Sequence, residues 1–165
     1  MSCVVAIRVD SSEQIGSGHL MRCLTLAERL RKDGADVHFI SRDLTGSLHR
    51  LITEHGFLLH LLPQHEANPN LTGYAAWLTV PQVVDAEEAG VILCRVRPVE
   101  CLVVDSYALD AAWEQKIRPF VRELFVIDDL ANRSHDCDVL LDQNYYRTMK
   151  HRYDGLVPPQ CKRLL

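Results

Sequence analysis

Several patterns that would assign the chain to a large protein class are missing from its sequence. No apolar run approaches the roughly 20 residues that span a bilayer, and the N-terminus lacks the basic start and cleavable apolar region of an export signal. The six cysteines include no Cys-x-x-Cys pair, which disfavours zinc ribbons and thioredoxin-like sites. A net charge of −4 without a basic cluster argues against nucleic-acid binding.

What is present is the composition of an ordinary globular domain. The chain has 165 residues, of which 47% are hydrophobic and 24% charged, enough to bury a sizeable core. We expect a cytoplasmic protein with no membrane span, whose cysteines are small buried thiols in a reducing compartment. A cysteine nucleophile is the alternative, although no thiol has an obvious activator nearby in the sequence.

Short apolar runs alternate with amphipathic runs along the chain. Strands are predicted over residues 4–9, 37–41, 57–62, 102–105, 124–127 and 139–141, and helices over 18–32, 47–55, 81–95 and 110–117, with Pro81 at the first helical position and Asp110 as a cap. Residues 64–80 show no period and are predicted as a loop. Strands that alternate with helices imply right-handed crossovers, so we predict a Rossmann-like, doubly wound parallel α/β sheet.

The predicted sheet divides the chain into two parts. Residues 1–144 form the Rossmann-like domain, and residues 145–165 are expected to be a tail or the start of a linker, because no strong period runs through them. The chain stops on Leu164 and Leu165, which resemble the start of another element. We therefore expect a further domain, or a second chain, beyond this segment.

Ligands bind such sheets outside the carboxyl ends of the strands. Five segments of this chain fall there: 10–19, 41–46, 105–107, 128–129 and 142–144. The first contains Gly16-Ser17-Gly18-His19, in which a glycine turn leads into a helix and offers backbone N–H groups to an anion. Met21 stands where a dinucleotide fingerprint needs its third glycine, and the Gly-Lys-Ser/Thr of a P-loop is absent. The turn is either structural, with His19 as a cap, or it holds a ligand beside a general base.

Two carboxylates end predicted strands. Asp10 and Asp105 either cap the following turns or orient His19 and hold a sugar hydroxyl. Arg8 is the only charged residue of its apolar strand and is expected to pair with Asp10 or a neighbouring strand-end acid. Asp128 and Asp129 are adjacent, so their side chains need not share a site. The other seven histidines have no ligand spacing, and we expect no bound metal.

Four ordered motifs resemble one enzyme family. They are Arg8–Asp10 followed by Gln14–Leu24, then Val103–Asp110, Val126–Arg133 and Leu140–Asn144. Together they resemble the N-terminal part of the pseudaminic acid pathway hydrolases, which act on UDP-2,4-diacetamido-2,4,6-trideoxy-β-L-altropyranose and are related to spore coat polysaccharide biosynthesis proteins. The family has a two-domain GT-B architecture, similar to the glycosyltransferase that makes lipid II. The resemblance implies an N-terminal GT-B half that contributes the glycine loop and a histidine, whereas the other half supplies most UDP contacts.

The resemblance also implies roles for individual residues. His19 matches the family's proposed catalytic base, which activates water to attack the anomeric carbon, inverts it and releases UDP. Substrate-binding residues are expected to be Asp10, Gly16, Ser17, Gly18, Arg22, Asp105 and Tyr107, with no cofactor and no metal. The chain departs from the family by stopping where the second domain begins, so the isolated chain is expected to be inactive. Two alternatives remain open: a glycosyltransferase-like domain of the same fold, and a non-catalytic domain that binds a sugar or a protein partner.

Overall fold

The computed structural model describes residues 3–96 and 98–165, which form one α/β layer structure. Its seven strands are β1 (Val4–Val9), β2 (Asp36–Arg42), β3 (Leu58–Leu62), β4 (Val99–Asp105), β5 (Val121–Ile127), β6 (Val139–Leu141) and β7 (Lys162–Leu164). Its four α-helices are α1 (Gly18–Lys32), α2 (His49–Glu54), α3 (Gln82–Val96) and α4 (Ala111–Ile117). Short 3-10 helices cover Gly73–Leu78, Arg118–Phe120 and Met149–His151.

All seven strands form a single parallel sheet in the order β3-β2-β1-β4-β5-β6-β7. The chain winds outward from β1 to β3, then crosses back to β4 beside β1 and winds the other way. The predicted doubly wound, Rossmann-like fold is therefore confirmed. The order reverses between β1 and β4, so the crevice of such a sheet opens at their carboxyl ends.

The alternation of side chains along β1 separates two apolar cores. Val5, Ile7 and Val9 face one side, where they pack with α1 and α2. Ala6 faces the other side, against α3 and α4. Because both faces of the sheet are covered, its central strands are continuous apolar runs, which is why β1 was visible in the sequence.

Arg8 occupies the second face of β1 and joins a buried ion network. Its guanidinium donates to Asp85 at 2.7 Å and to Asp10 at 2.5 Å. Arg42 donates to the same Asp85 carboxylate at 2.7 Å, and Trp113 donates its indole N–H to it at 2.9 Å. The pairing predicted for Arg8 with a strand-end acid is thus found with Asp10. Asp85 of α3 is a second partner that was not predicted, because it lies 77 residues away in the sequence.

Two stretches without a sequence period have defined structure. The 64–80 segment, predicted as a loop, contains the 3-10 helix Gly73–Leu78, and Leu78 is buried in the core. Residues 145–165 return to the domain: Tyr153 is fully buried, and β7 pairs with β6. α3 begins at Gln82, one residue later than predicted, so Pro81 immediately precedes the helix instead of being its first residue. The Pro81 carbonyl accepts hydrogen bonds from the backbone of the first helical turn.

Asp110 caps α4 as predicted, since its carboxylate accepts the Ala112 N–H at 2.8 Å. All six cysteines are free thiols, and Cys23, Cys137 and Cys161 are buried. No helix in the described ranges is long and apolar enough to cross a membrane.

Candidate active site

The candidate site lies where the sheet order reverses. Val9, the last residue of β1, stands opposite Asp105, the last residue of β4. The turn after β1 runs through the glycine loop into α1, whose second residue is His19. The fold therefore brings His19 and Asp105 together across 86 positions of sequence.

His19 is bound through one ring nitrogen. Its Nδ1 lies 2.6 Å from Oδ1 of Asp105 and 3.1 Å from Nη2 of Arg22. The shorter contact to a carboxylate assigns the proton to Nδ1, because a carboxylate only accepts. Within the described residues all polar contacts of this ring are made at Nδ1, and the one with Asp105 is its hydrogen bond, so Nε2 is left as an acceptor. This is the tautomer in which a histidine removes a proton from a neighbouring molecule.

Arg22, one turn along α1 from His19, connects two carboxylates. Its guanidinium donates to Asp105 at 2.5 and 2.6 Å, and more weakly to Asp129 at 3.4 Å. Burial alone would raise the pKa of Asp105, but hydrogen bonds from Arg22 and His19 hold that pKa below its usual value. Asp105 is therefore a fixed negative charge that can stabilise a protonated His19.

Asp129 completes the polar side of the site. It accepts the Tyr107 hydroxyl at 2.5 Å and the Asn144 amide at 3.2 Å. Burial and this hydrogen bond to a carboxylate raise the pKa of Tyr107, so its phenol stays protonated at neutral pH and acts as a donor. The neighbouring Asp128 points elsewhere and accepts from Arg133 and Tyr153, as expected for adjacent residues.

Aromatic rings cover His19. The Tyr107 ring meets the imidazole edge-on, with ring centroids 4.5 Å apart. Trp77, from the 3-10 helix, lies 6.3 Å from the imidazole and 5.8 Å from Tyr107. Tyr74 of the same helix contacts both Trp77 and Tyr107. The imidazole thus has a polar partner on one nitrogen and aromatic neighbours around the ring.

The glycine loop beside His19 is exposed. Gly16 has a φ of +77°, which favours glycine, and its N–H is bonded to the Ser12 carbonyl at 2.8 Å. Gly18 has no such conformation, and a Cβ added there would meet no atom within 4 Å. Ser17 caps α1 without a side-chain hydrogen bond, so its side chain leaves the N–H groups of the first helical turn available to an outside partner.

A cleft of about 270 Å³ opens beside this loop. Ser12, Glu13 and Gln14 line one side, and Trp77 with Thr79 lines another. The 41–46 segment reaches the same cleft through Leu44 and Thr45. The cleft thus adjoins the segment that leads into the glycine loop, and it adjoins Trp77 of the aromatic cover of His19.

Asp10 lies apart from the His19 ring. Its Oδ1 accepts from Arg8, from the Arg42 backbone N–H at 2.7 Å and from Ser41 at 3.4 Å, and only 2% of the residue is exposed. Of the two strand-end carboxylates expected to orient His19, the structure brings Asp105 to the imidazole and places Asp10 in the buried ion network.

The remaining expectations fall into two groups. His19, Arg22, Asp105 and Tyr107 meet at one point, and Gly16, Ser17 and Gly18 form the adjoining exposed loop. Sequence reasoning missed Trp77 and Tyr74 as site residues. It placed the 128–129 and 142–144 segments at the ligand-binding edge but assigned no role to Asp129 or Asn144. The available signal for Trp77 and Tyr74 was the occurrence of two aromatic residues in one aperiodic stretch. The signal for Asp129 and Asn144 was their position after strands.

The Cys23 thiol lies beside the Asp105 carboxylate. Burial and the nearby Asp105 carboxylate raise the pKa of the Cys23 thiol well above its ordinary value, which keeps it protonated. Among the described residues no group of three or more histidine, cysteine or acidic side chains is arranged to hold a metal ion.

Comparison with solved structures identifies the class of fold. No family model matches the chain. MurG of Acinetobacter baumannii superposes with a TM-score of 0.63 at 12% identity, over 98% of this chain and 45% of MurG. LpCGTa, solved in complex with UDP, gives a TM-score of 0.51 at 20% identity, over 77% of this chain and 30% of LpCGTa. The chain is a Rossmann-like α/β domain with the fold found in GT-B glycosyltransferases.

A relative found by sequence comparison indicates a narrower group of proteins than the shared fold does. The chain is 31% identical, over 160 residues, to the UDP-2,4-diacetamido-2,4,6-trideoxy-beta-L-altropyranose hydrolase of Campylobacter jejuni subsp. jejuni. The match covers 96% of this chain and 47% of the relative, so the chain spans about half the length of the curated relative. The resemblance carried by the four sequence stretches is confirmed: the chain is related to this UDP-sugar hydrolase.

Proposed function

We propose that the chain is the catalytic-base half of a nucleotide-sugar hydrolase that releases UDP from a UDP-linked 2,4-diacetamido-2,4,6-trideoxy sugar. One observation carries the proposal: the Asp105-bound imidazole of His19 stands beside an exposed glycine loop at the reversal point of the sheet. The relationship to a UDP-sugar hydrolase supports the substrate class. We also propose that the reaction belongs to pseudaminic acid synthesis in the cytoplasm, and the free state of all six cysteines suits a reducing compartment.

The proposed step is a displacement by water. His19 Nε2 accepts a proton from water while the water oxygen forms a bond to the anomeric carbon. The bond between that carbon and the phosphate oxygen breaks, its electron pair leaves with UDP, and the configuration inverts. Asp105 stabilises the imidazolium formed in this step, as a buried carboxylate does for other catalytic histidines. General base catalysis of this kind contributes about 10²- to 10⁴-fold to a rate.

The exposed loop is suited to the charged part of the substrate. We propose that the backbone at Gly16, Ser17 and Gly18 lies near the diphosphate or sugar, because a helix N-terminus favours negative charge. The N–H groups of Ser17 and Gly18 are the donors in this proposal, since the Gly16 N–H is bonded to the Ser12 carbonyl. Arg22 is expected to act mainly by holding Asp105 and Asp129 in place, since both carboxylates occupy its guanidinium.

The nucleotide itself is expected to need more than these 165 residues. The relative is about twice as long as the matched segment, and we propose that a second domain or a second chain completes the UDP site. We call the fusion of this chain with the part of the Campylobacter relative that it does not cover the completed protein. The completed protein is therefore expected to turn over the substrate, and the chain alone is expected to show little turnover. Full activity of the isolated chain would contradict this part of the proposal.

Coupled detection of released UDP tests the catalytic assignment. His19→Ala in the completed protein is expected to lower the rate by at least 10²-fold. His151→Ala is a matched control, because His151 also pairs with a carboxylate, Asp154 at 2.9 Å, but is exposed. Equal rates for His19→Ala and wild type would remove His19 from the mechanism.

The fold of MurG and LpCGTa keeps a second function in view, namely transfer of the sugar to an acceptor hydroxyl instead of water. The same assay separates the two reactions. Hydrolysis releases UDP and free sugar at a rate independent of added acceptor, whereas a transferase would show little release until an acceptor is supplied. A domain that only binds a sugar or a partner would retain its biological effect in His19→Ala.

A further inference from the structure

The 3-10 helix Gly73–Leu78 is anchored in the core at its last residue and is more exposed along the residues before it. Leu78, its last residue, is 1% exposed and packs into the core with residues of α3. Thr79 follows with a φ of +61°, a left-handed conformation that a β-branched residue rarely adopts. Strain of this kind persists only where the surroundings impose it, and it clusters at functional sites. The burial of Leu78 and the turn at Thr79 hold the preceding residue, Trp77, at the site.

Trp77 stands between His19 and the cleft. On one side its ring contacts the Tyr107 and Tyr74 rings and approaches the His19 imidazole. On the other side it lines the 270 Å³ cleft, whose opposite wall is formed by Ser12, Glu13 and Gln14, just before the glycine loop. A molecule that occupied the cleft and reached His19 would therefore pass along the Trp77 indole.

The two tryptophans of the chain differ in how their indole N–H groups are satisfied. Trp113 is fully buried and donates to Asp85 at 2.9 Å. Trp77 is half-buried, and no acceptor for its N–H is found within residues 3–96 and 98–165. A half-buried tryptophan that presents an apolar face and an unused donor is typical of a recognition surface.

We infer that Trp77 is a substrate-binding, specificity-determining residue, whose indole is the wall of the site that receives the apolar edge of the sugar. The inference rests on the proposed function for the identity of that sugar. A 2,4-diacetamido-2,4,6-trideoxy sugar carries three methyl groups and two amide carbonyls in place of hydroxyls. An aromatic face suits the methyl groups and the indole N–H suits a carbonyl, whereas a fully hydroxylated sugar would leave this wall poorly matched.

The test measures sugar binding by the 165-residue chain without requiring turnover. Free 2,4-diacetamido-2,4,6-trideoxy-L-altropyranose and plain L-altropyranose are titrated into the chain, and binding is followed by NMR shifts of the backbone amides. Wild type is expected to prefer the diacetamido sugar. Trp77→Ala is expected to weaken the binding of the diacetamido sugar by about tenfold and the binding of altropyranose much less. Trp77→Phe is expected to have an intermediate affinity, because it keeps an apolar ring and loses the N–H.

Leu58→Ala is the control, since Leu58 is a large apolar side chain, 55% exposed, at the amino end of β3. It is expected to bind both sugars as wild type does. Equal affinities of wild type and Trp77→Ala for the diacetamido sugar would overturn the inference, as would a wild-type chain that binds neither sugar or both equally.

The UDP-release assay keeps the two proposals distinguishable. In the completed protein Trp77→Ala is expected to raise KM by about tenfold and change kcat by less than about threefold. If UDP is released normally but Trp77→Ala changes neither KM nor sugar affinity, the inference fails and the hydrolase proposal stands. If Trp77 governs sugar binding but no UDP is released, the inference stands and the hydrolase proposal fails.

Discussion

Asp105 and His19 are joined by a 2.6 Å contact between Oδ1 and Nδ1 that links the end of β4 to the first turn of α1. Asp105 is 1% exposed and His19 is 8% exposed, so bulk water competes little for this contact. The pair therefore fixes which imidazole nitrogen is available for chemistry.

Asp105→Asn should impair hydrolysis while keeping the shape of the site. An asparagine can present its amide N–H to Nδ1, which favours the tautomer with the proton on Nε2 and removes the base. We expect UDP release by the completed protein to fall by about 10²-fold or more. Asp36→Asn is the control, because Asp36 also contacts a histidine, His38 at 3.3 Å, but on the opposite edge of the sheet. A rate within twofold of wild type for Asp105→Asn would show that His19 needs no carboxylate.

Gly18 and Gly46 should respond differently to alanine. A Cβ at Gly18 meets no atom within 4 Å, so Gly18→Ala is expected to leave the unfolding midpoint nearly unchanged. At Gly46 the φ is +75° and a Cβ would lie 2.5 Å from Cγ of Glu13, so Gly46→Ala should destabilise the chain by about 1 kcal/mol or more. If Gly18→Ala is stable and still raises the KM for UDP-sugar, the glycine serves the ligand; an unchanged KM would assign it no such role.

Asp85 should matter more for stability than any exposed acid. It is fully buried, and in Asp85→Asn the buried Arg8 would keep only Asp10 as a carboxylate partner and the buried Arg42 only Glu88, so each loses one ion pair in the core. Breaking such a pair costs about 3–5 kcal/mol. Urea denaturation of Asp85→Asn can be compared with Glu54→Gln, which breaks the exposed Arg50–Glu54 pair and should cost less than about 1 kcal/mol. Similar losses for the two variants would contradict the role of the buried network.

Acid should destabilise the chain through its bound carboxylates. Desolvation raises the pKa of Asp85, Asp105 and Asp128, but the opposite effect of their arginine and other hydrogen-bond partners is larger. The pKa of each carboxyl therefore lies below its ordinary value. A depressed folded pKa means that the unfolded chain binds protons first. The stabilisation is present above the unfolded pKa, near 4, and is lost as pH falls through the lower folded pKa. The free energy of unfolding, measured in urea from pH 7 to pH 3, should decline steeply below about pH 4, and a rise in that range would be the contrary result.

The sequence allowed accurate prediction where one local signal dominated. The bounds predicted for β1 and α1 match the structure. β1 is a nearly continuous β-branched run, interrupted in its apolar character by Arg8, and α1 has an apolar stripe ended by a glycine turn at Gly34. The strand-end rule also placed His19 and Asp105 at one edge of the sheet before their contact was known.

The remaining features of the site depend on contacts between residues that are far apart in the sequence, which local patterns do not reveal. Asp10 and Asp105 both end strands, and only Arg8 and the backbone of Arg42 explain why Asp10 joins a buried network while Asp105 meets His19. Trp77 has no periodic neighbours, so its place depends on the burial of the adjacent Leu78. The strand β7 is only three residues long, too short for an alternation to stand out from its surroundings.

The direction of β7 has a practical consequence for labelling the molecule. Because β7 runs parallel to β6, Leu164 lies at the carboxyl edge of the sheet, where its carbonyl accepts the Asp142 N–H at 3.0 Å. Val4, which opens β1, lies at the other edge. A fluorophore attached beside Leu165 would therefore stand on the same edge as His19 and could sense a ligand there. Surface immobilisation through the exposed Cys3 thiol would leave that edge facing solution.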